Sequence, residues 1–329
     1  MWSVTTSMWR YTLQRIAGVL SQLLLISICA FVIMKTAPGD PVASLVGGRE
    51  FMTDEDYKRV SHNLGLDQPL VTQYGVWLSR LFHGDWGHSI RDGRDVGHVI
   101  WNGLKATLVL IGISAVAIAA IAIVAGYWAG VRAHTRLDYG ISGFALVSFA
   151  TPAFWLGLVL ILVFSVTLDL LPSSGQSSLG RNENLMDYLQ HLLLPVACIV
   201  LTHSGPYIRL VRGGVRDVLA TEYYRAARAR GLPKHILVWR YLLPNALTPF
   251  ATWMGLTLPL LVGGTFIVEW VFGWPGMGRL FLQAAIARDY PMLMAAVLIT
   301  GVLVIAGNLL ADMFIARLNP KFRRANAVE

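Results

Sequence analysis

The segment 221–244 has the sequence TEYYRAARARGLPKHILVWRYLLP and lies between two long apolar runs. Thr221 is a suitable N-cap for a helix that starts here, and Glu222 places an acid in its first turn. Gly231 and Pro233 favour its end, because glycine adopts the left-handed conformation and proline cannot continue the helix. A helix of about two and a half turns is too short to be stable alone in water. We therefore predict that this basic helix docks on a partner.

Small and aromatic side chains in this helix separate two kinds of partner. A helix that lies on lipid favours Leu or Phe on its apolar face. Here Ala226, Ala227 and Ala229 permit close approach, while Tyr223 and Tyr224 offer large amphipathic contacts. Docking to a protein is the preferred interpretation, and a basic helix lying on lipid is the alternative.

The composition of the chain indicates a membrane protein. Of its 329 residues 55% are hydrophobic and 14% are charged, whereas soluble domains contain roughly 25% charged residues. About 20 apolar residues cross the hydrocarbon, and six runs without Asp, Glu, Lys or Arg approach or exceed that length. The runs are 16–34, 106–131, 139–168, 188–208, 241–268 and 290–311. We predict an all-α integral membrane protein with six transmembrane helices and a helical external loop between the first two.

The first apolar run could instead be a signal peptide, because it follows Arg10 and Arg15. The run is longer than a typical signal-peptide core, and residues 35–38 contain no small-x-small cleavage site. An uncleaved first helix is therefore expected.

Lys and Arg in the short connections predict the orientation. Segment 209–240 contains eight of them against two acids, and connection 132–138 and the C-terminal tail are also basic. The connections 169–187 and 273–289 are less basic. This pattern places both termini in the cytoplasm. The net charge of +8 then meets anionic lipid or a cytoplasmic partner, and nucleic acid is disfavoured because the charge is divided among membrane-flanking loops.

The external loop is predicted to be helical and ordered. Thr53 is a suitable N-cap for a first helix, which Gly65 should end, and Pro69 is suited to start a second one. Three further glycines turn the chain back towards the membrane: Gly84, Gly87 and Gly93.

Few polar groups lie within the apolar runs. Glu269 follows the fifth run, and Asn308 and Asp312 share one helical face at the end of the sixth. Charge in a membrane favours a functional site, but hydrogen bonding at a helix end is equally expected for both acids. His203 and Ser204, followed by Gly-Pro, either line a pathway or mark a local kink in the fourth run.

Sequence signatures of catalysis are absent. The chain contains no G-x-x-x-x-G-K-[ST] phosphate loop, H-E-x-x-H, paired C-x-x-C or G-x-S-x-G motif. Its two cysteines, Cys29 and Cys198, lie in predicted spans and exclude a disulfide framework. No catalytic residue, metal or cofactor is predicted.

The spacing of Ala226-Ala227, Gly231 and Leu243-Pro244 resembles the EAA loop of ABC importer permeases, whose consensus is E-A-A-x₃-G-x₉-I-x-L-P. Arg225 replaces the Glu and Tyr241 replaces the Ile of that consensus. The stretch 225–232 is similar to the R-x-A-R-A-x-G-L version of the peptide and nickel branch, so the departure favours that branch.

Further motifs extend the resemblance to the first permease subunit of dipeptide, oligopeptide and nickel importers over nearly the whole chain. They are PGDP at 38–41, LGLDQPL at 64–70, TPAFWLG at 151–157, LPSSG at 171–175, FGWPGMG at 272–278, RDYP at 288–291 and NLLAD at 308–312.

The resemblance implies the type I ABC importer permease fold in a bacterial inner membrane. It implies a related second permease, two cytoplasmic ATPase chains and an external substrate-binding protein as partners, in addition to membrane lipid. The implied ATPase-coupling residues are Glu222, Tyr223, Tyr224, Arg225, Ala226, Ala227, Arg228, Gly231, Leu232, Leu243 and Pro244. ATP hydrolysis would occur on the partner chains.

The expected organisation has four parts. The N-terminus and first helix occupy 1–35, the external loop 36–104, a core with five transmembrane helices 105–316, and a cytoplasmic tail 317–329; the core includes the coupling segment 213–244. Small peptides are the expected cargo, and nickel, a metal–chelator complex or glutathione are the alternatives. A secondary transporter is disfavoured, because no ionisable residues at mid-span and no inverted repeats are evident.

Overall fold

The computed structural model describes residues 18–32, 35, 42, 53–63, 65–178 and 184–318. These residues form helices and connections without a sheet, and His88 and Asp95 form an isolated bridge. The predicted motif at 38–41 and the basic tail after 318 lie outside the described residues. The predicted all-α fold is confirmed for the described part of the chain.

The helices are first named in chain order. They are α1 (Gly18–Val32), α2 (Asp54–Asn63), α3 (Leu70–Phe82), α4 (Val96–Val131), α5 (Arg136–Ala150), α6 (Ala153–Leu160), α7 (Leu185–Ala220), α8 (Glu222–Ala229), α9 (Lys234–Ile236), α10 (Leu243–Ala246), α11 (Thr248–Val271), α12 (Met277–Ala287) and α13 (Tyr290–Leu318). Two π-helical stretches, Ile161–Thr167 and Leu237–Leu242, follow α6 and α9.

The chain divides into two compact units. The first contains Met1–Ala106 and Pro275–Ile305, and the second contains Thr107–Trp274 and Ala306–Glu329. Both α4 and α13 contribute residues to each unit.

Several helices have the composition of membrane spans. Among the described residues, α4, α7 and the Tyr290–Ala311 part of α13 are each long and apolar enough to cross a bilayer. The predicted first run falls on the shorter apolar helix α1, and the fifth falls on α10 and α11. The count of six transmembrane helices stays a prediction.

The third predicted span is not one straight helix. Helices α5 and α6 pass the composition test together but are bent by 105° at the break between them. Thr151 adopts an extended backbone with φ −85° and ψ 122°. Proline disfavours helical geometry in the residue before it, and Pro152 follows here. The prediction of one uninterrupted helix over the apolar run 139–168 is therefore wrong, because the chain bends sharply between α5 and α6.

In the first unit, the predicted ends of α2 and α3 are confirmed. The Thr53 hydroxyl accepts a hydrogen bond from the Asp56 backbone N–H at 3.2 Å and caps α2. Gly65, with φ +66°, follows the end of α2, and Pro69 occupies the N-cap position of α3. The three glycines predicted to turn the chain also have positive φ values.

Asp289 fixes the segment that leads into α4 within the first unit. Its carboxylate is buried and accepts hydrogen bonds from the Ser89 hydroxyl and from the Ile90 N–H, the latter at 3.2 Å. It also accepts a bond from Met292 N–H at 3.4 Å, at the start of α13. Apolar residues of α4, α12 and α13, including Val96 and Met277, form a buried cluster in the same unit. One carboxylate thus ties the loop to the α12–α13 connection.

Candidate functional site

The basic segment begins where α7 ends. Thr221 lies at the N-cap position of α8, but its hydroxyl makes no capping bond. It instead donates to the Val218 carbonyl of α7 at 2.6 Å. The prediction that the Thr221 side chain caps α8 is therefore wrong in its chemistry, because the hydroxyl is engaged by the carbonyl left open at the end of the preceding helix.

Helix α8 is held by its own chain on one side. Ala227 is buried, and α8 packs against the end of α7 and the π-helical stretch Leu237–Leu242. The Tyr223 hydroxyl donates to the Tyr241 carbonyl at 3.0 Å, and partial burial raises the pKa of this hydroxyl. Tyr224 is half-buried. The small side chain of Ala227 permits the intramolecular packing that a helix this short requires.

The opposite side of α8 is exposed. Glu222, Ala226 and Ala229 are spaced by four and three residues, so they share one helical face, and all three are exposed. We call these three residues the small face. Arg225 and Arg228 are exposed beside it. A partner can approach the α8 backbone closely here, because two of the three side chains are methyl groups.

Arg225 occupies the position of the consensus glutamate and has a defined contact. Its guanidinium donates to the Ala220 carbonyl at 2.7 Å. That carbonyl lies at the C-terminal end of α7, where the helix dipole is negative. A cation at this position stabilises the junction between α7 and α8, and an acid would not.

The C-terminal part of the segment contains the helix end that was predicted at Gly231. Gly231 has φ +72° and its N–H donates to the Arg228 carbonyl at 3.0 Å. Leu232 is half-buried, Leu243 is buried at the start of α10, and Pro244 is exposed in its first turn. The predicted stop at Gly231 is confirmed, and the chain then turns back onto α7 through Leu243.

His203 and Ser204 lie in α7, which continues without interruption through Pro195 and Pro206. His203 Nδ1 lies 3.0 Å from the Ile199 carbonyl, and a Cβ added at Gly264 would lie 3.4 Å from His203 Nε2. The Ser204 hydroxyl is fully buried and has no hydrogen-bond partner among the described residues. Both residues lie within the helical packing, and a pathway role for them stays a prediction.

The structure separates Glu269 from the other two polar candidates. Glu269 is fully buried near the end of α11 and accepts a hydrogen bond from the Thr107 hydroxyl at 2.7 Å. Asn308 is exposed on α13, and the side chain of Asp312 lies outside the described residues. The Glu269 contact is a buried hydrogen bond between α11 and α4, and a pathway role for the three residues stays a prediction.

Three of the sequence motifs meet in the second unit. The Gly175 N–H donates to the Phe272 carbonyl at 2.9 Å, and a Cβ at Gly157 would lie 3.2 Å from the Phe272 ring. The Tyr188 and Trp274 rings lie 5.7 Å apart, and Trp274 is fully buried. The motifs at 151–157 and 171–175 and residues 272–274 of the third motif thus contribute to one packed cluster.

Two family models cover most of the chain. The model of the binding-protein-dependent transport system inner membrane component matches residues 122–324, and the model of the N-terminal part of the membrane component of such systems matches residues 8–102. The chain belongs to the family of binding-protein-dependent transport system inner membrane components. It is a permease of the ABC importer class and an inner-membrane protein, and the predicted membrane class and family are confirmed.

Known relatives match this permease over nearly their full lengths. The oligopeptide transport system permease protein AppB of Bacillus subtilis is 37% identical over 94% of this chain and 98% of the relative. The probable D,D-dipeptide transport system permease protein DdpB of Escherichia coli is 33% identical over 96% and 98%. The inward-facing MetNI methionine ABC transporter is similar in fold, with a TM-score of 0.55 and 18% identity over 67% of this chain and 96% of that one.

The permease contains a charged pair that the sequence did not indicate as a site. Asp138 of α5 is almost fully buried, and the Arg212 guanidinium of α7 donates to both of its carboxylate oxygens. In the sequence, Arg212 was only one of the eight basic residues of segment 209–240 that predict the orientation in the membrane. The signal available was that an acid and a base stood in two connections assigned to the same side of the membrane.

Glycines bring the helices of the permease into backbone contact with α7. A Cβ at Gly126 or Gly130 of α4 would lie 2.6 Å from Val211 or Val215. Gly205 and Gly214 of α7 leave no space for a Cβ, since it would overlap the carbonyls of Ala145 and Ala246. Gly126 and Gly130 form a G-x-x-x-G spacing, which is typical of close helix contacts in membranes and could have been recognised in the sequence.

Proposed function

We propose that this permease forms the translocation pathway of an ATP-driven importer for small peptides. The observation that carries the coupling role is the exposed small face of α8, held directly after the 36-residue helix α7. A short amphipathic helix at the end of a long span can bind a partner and transmit the movement of that partner to the span. The peptide cargo is supported by the oligopeptide and D,D-dipeptide systems to which two relatives belong.

The coupling segment 213–244 is proposed to lie in the cytoplasm. Its Lys and Arg residues, and those of the 132–138 connection, support this side, because basic residues are enriched in cytoplasmic connections. Both termini then lie in the cytoplasm, and the 36–104 loop with α2 and α3 lies outside. The core 105–316 forms the pathway, and the tail follows from 317.

The proposed assembly has two permeases, two ATPase chains and an external binding protein. Each ATPase chain docks on the α8 small face of one permease, and the second permease is a related chain. ATP binding brings the ATPase chains together, which moves the α8 helices and opens the pathway outward. Hydrolysis occurs on the ATPase chains, and its products then release the pathway to the inward-open state.

Within this permease, each part of the coupling segment has a defined task in the proposal. The buried Ala227 and the Tyr223–Tyr241 hydrogen bond hold α8 on the chain. The Arg225–Ala220 hydrogen bond fixes its angle to α7. Leu243 anchors the return of the chain, so the small face stays directed at the partner.

Purification of the tagged permease from its native membrane tests the assembly. We expect two kinds of chain to co-purify in a mild detergent: soluble-type ATPases with phosphate-loop motifs, and a second six-span permease. Mass spectrometry of the purified complex would identify both. A permease that purifies only with itself, under conditions where a known importer stays intact, would contradict the proposed assembly.

A further inference from the structure

The connection between α4 and α5 contacts α7 just before the coupling helix. Asp138 accepts hydrogen bonds from the Arg212 Nε and Nη2 atoms, the latter at 2.8 Å. Arg216, one helical turn further along α7, lies with its Nη2 atom 3.4 Å from His134 Nε2. His134 of the connection and Asp138 in the first turn of α5 therefore contact the same face of α7. We call the Asp138–Arg212 pair the clamp.

The clamp is built to hold one geometry. Asp138 is 1% exposed, and burial of a carboxylate is unfavourable unless it is paired and hydrogen-bonded. Beside the guanidinium it accepts bonds from the His134 N–H at 2.9 Å and the Ser142 hydroxyl at 3.3 Å. His134 adopts a left-handed conformation with φ 65°, which is unusual for a residue with a side chain. A two-bond Arg–carboxylate fork fixes orientation as well as distance.

The clamp lies in the region where α4, α5 and α7 are already in close contact. Gly126 and Gly130 of α4 abut Val211 and Val215, which flank Arg212 on α7. Dispersion contacts between such apolar groups have no preferred direction, so a directional polar contact adds resistance to sliding of α7 against α4 and α5. The clamp opposes this sliding, because a fork between fixed groups loses both hydrogen bonds when the helices move by about one bond length.

The position of the clamp relative to α8 suggests its purpose. Arg212 precedes Thr221 by nine residues of continuous helix, or about 14 Å at 1.5 Å per residue. Force applied at α8 therefore reaches Arg212 before it reaches most of the span. A fixed contact at this point would move α4 and α5 together with α7.

We propose that Asp138 and Arg212 are a positioning pair that transmits movement of α8 to α4 and α5. The inference rests on the proposed function. Without the pair, ATP-driven movement of α8 makes α7 slide against α4 and α5, so only part of the movement reaches those two helices. The permease then assembles and its ATPase partners hydrolyse ATP, but less cargo crosses per ATP.

The test is the number of peptides transported per ATP hydrolysed in proteoliposomes that contain the complete importer. We expect Asp138→Asn to lower this ratio at least tenfold while co-purification of the ATPases changes less than twofold. Asp217→Asn is the matched control, because it removes the same charge from an exposed position of α7; its ratio should equal that of the unaltered importer.

A second variant keeps the test decisive if Asp138→Asn fails to fold. Asp138→Asn leaves the Arg212 guanidinium without its carboxylate, so the double variant Asp138→Asn with Arg212→Gln removes both charges. If the single variant does not assemble, the double variant decides, and it is also expected to transport at least tenfold less per ATP. Arg212→Lys retains the charge without the fork and should give an intermediate ratio.

Different outcomes separate the clamp from the function it serves. A parallel loss of assembly, hydrolysis and transport in both Asp138 variants, with an unchanged ratio in what remains, would show a merely structural pair. An unchanged ratio in fully assembled variants would also overturn the inference. Failure of the proposed function itself would appear in the unaltered importer, as transport without any dependence on ATP.

Discussion

Replacement of Ala226 by glutamate should reduce co-purification of the ATPase chains at least tenfold while the permease itself remains folded. Ala226 is exposed in the centre of the small face of α8. A longer charged side chain there holds the partner away and must lose water if the interface closes. A penalty of about 1.4 kcal/mol already lowers affinity tenfold, and burial of an unpaired charge costs more than that.

The choice of Ala226 depends on the packing of α8. Ala227 was included among the coupling residues, but it is buried against its own chain, so its substitution would disturb the segment rather than the docking surface. Ala285→Glu is a suitable control, since Ala285 is an exposed alanine of α12 in the other unit. If Ala226→Glu retains its ATPases, or if Ala285→Glu loses them equally, α8 is not the docking surface.

Gly213 and Gly214 should respond in opposite directions to alanine. Gly214 has no space for a Cβ, because the Ala246 carbonyl of α10 occupies it, whereas a Cβ at Gly213 meets nothing within 4 Å. Overpacking of a tight contact costs about 1–3 kcal/mol. In contrast, an unobstructed glycine-to-alanine change in a helix contributes about 1 kcal/mol of stability.

The midpoint of heat-induced aggregation, followed by size-exclusion chromatography in detergent, measures this difference. We expect Gly214→Ala to lower the midpoint and to reduce the yield of intact complex, and Gly213→Ala to retain or raise it. The two variants have the same composition and differ by one position on the same helix. Equal midpoints would contradict the close α7–α10 contact.

Local signals in the sequence predicted several helix ends, including those of the short helix α8. A residue that starts or ends a helix acts through its own backbone or through groups a few residues away, so its effect can be recognised without knowledge of the fold. The residues of this kind are Thr53, Gly65, Pro69 and Gly231. The bend at Thr151 was also accessible in principle, since Pro152 is visible in the sequence. The length of the apolar run concealed it, because hydropathy reports burial in lipid and not the direction of the chain.

Contacts between distant parts of the chain could not be predicted in the same way. Asp138 and Arg212 are separated by 74 positions, and their pairing depends on how α5 packs beside α7. Whether Ala226 or Ala227 is exposed depends on the side of α8 that the π-helical stretch covers. The capping role of Thr221 was predicted wrongly for a related reason: its hydroxyl donates to the Val218 carbonyl of α7 and does not cap α8.

Uptake of a radiolabelled dipeptide by proteoliposomes that contain the purified importer and its binding protein tests the central claim most directly. The account predicts uptake only when ATP is supplied on the side of the ATPase chains, with the same rate after a protonophore removes the proton gradient. Uptake that continues without ATP and stops when the proton gradient is removed would contradict it.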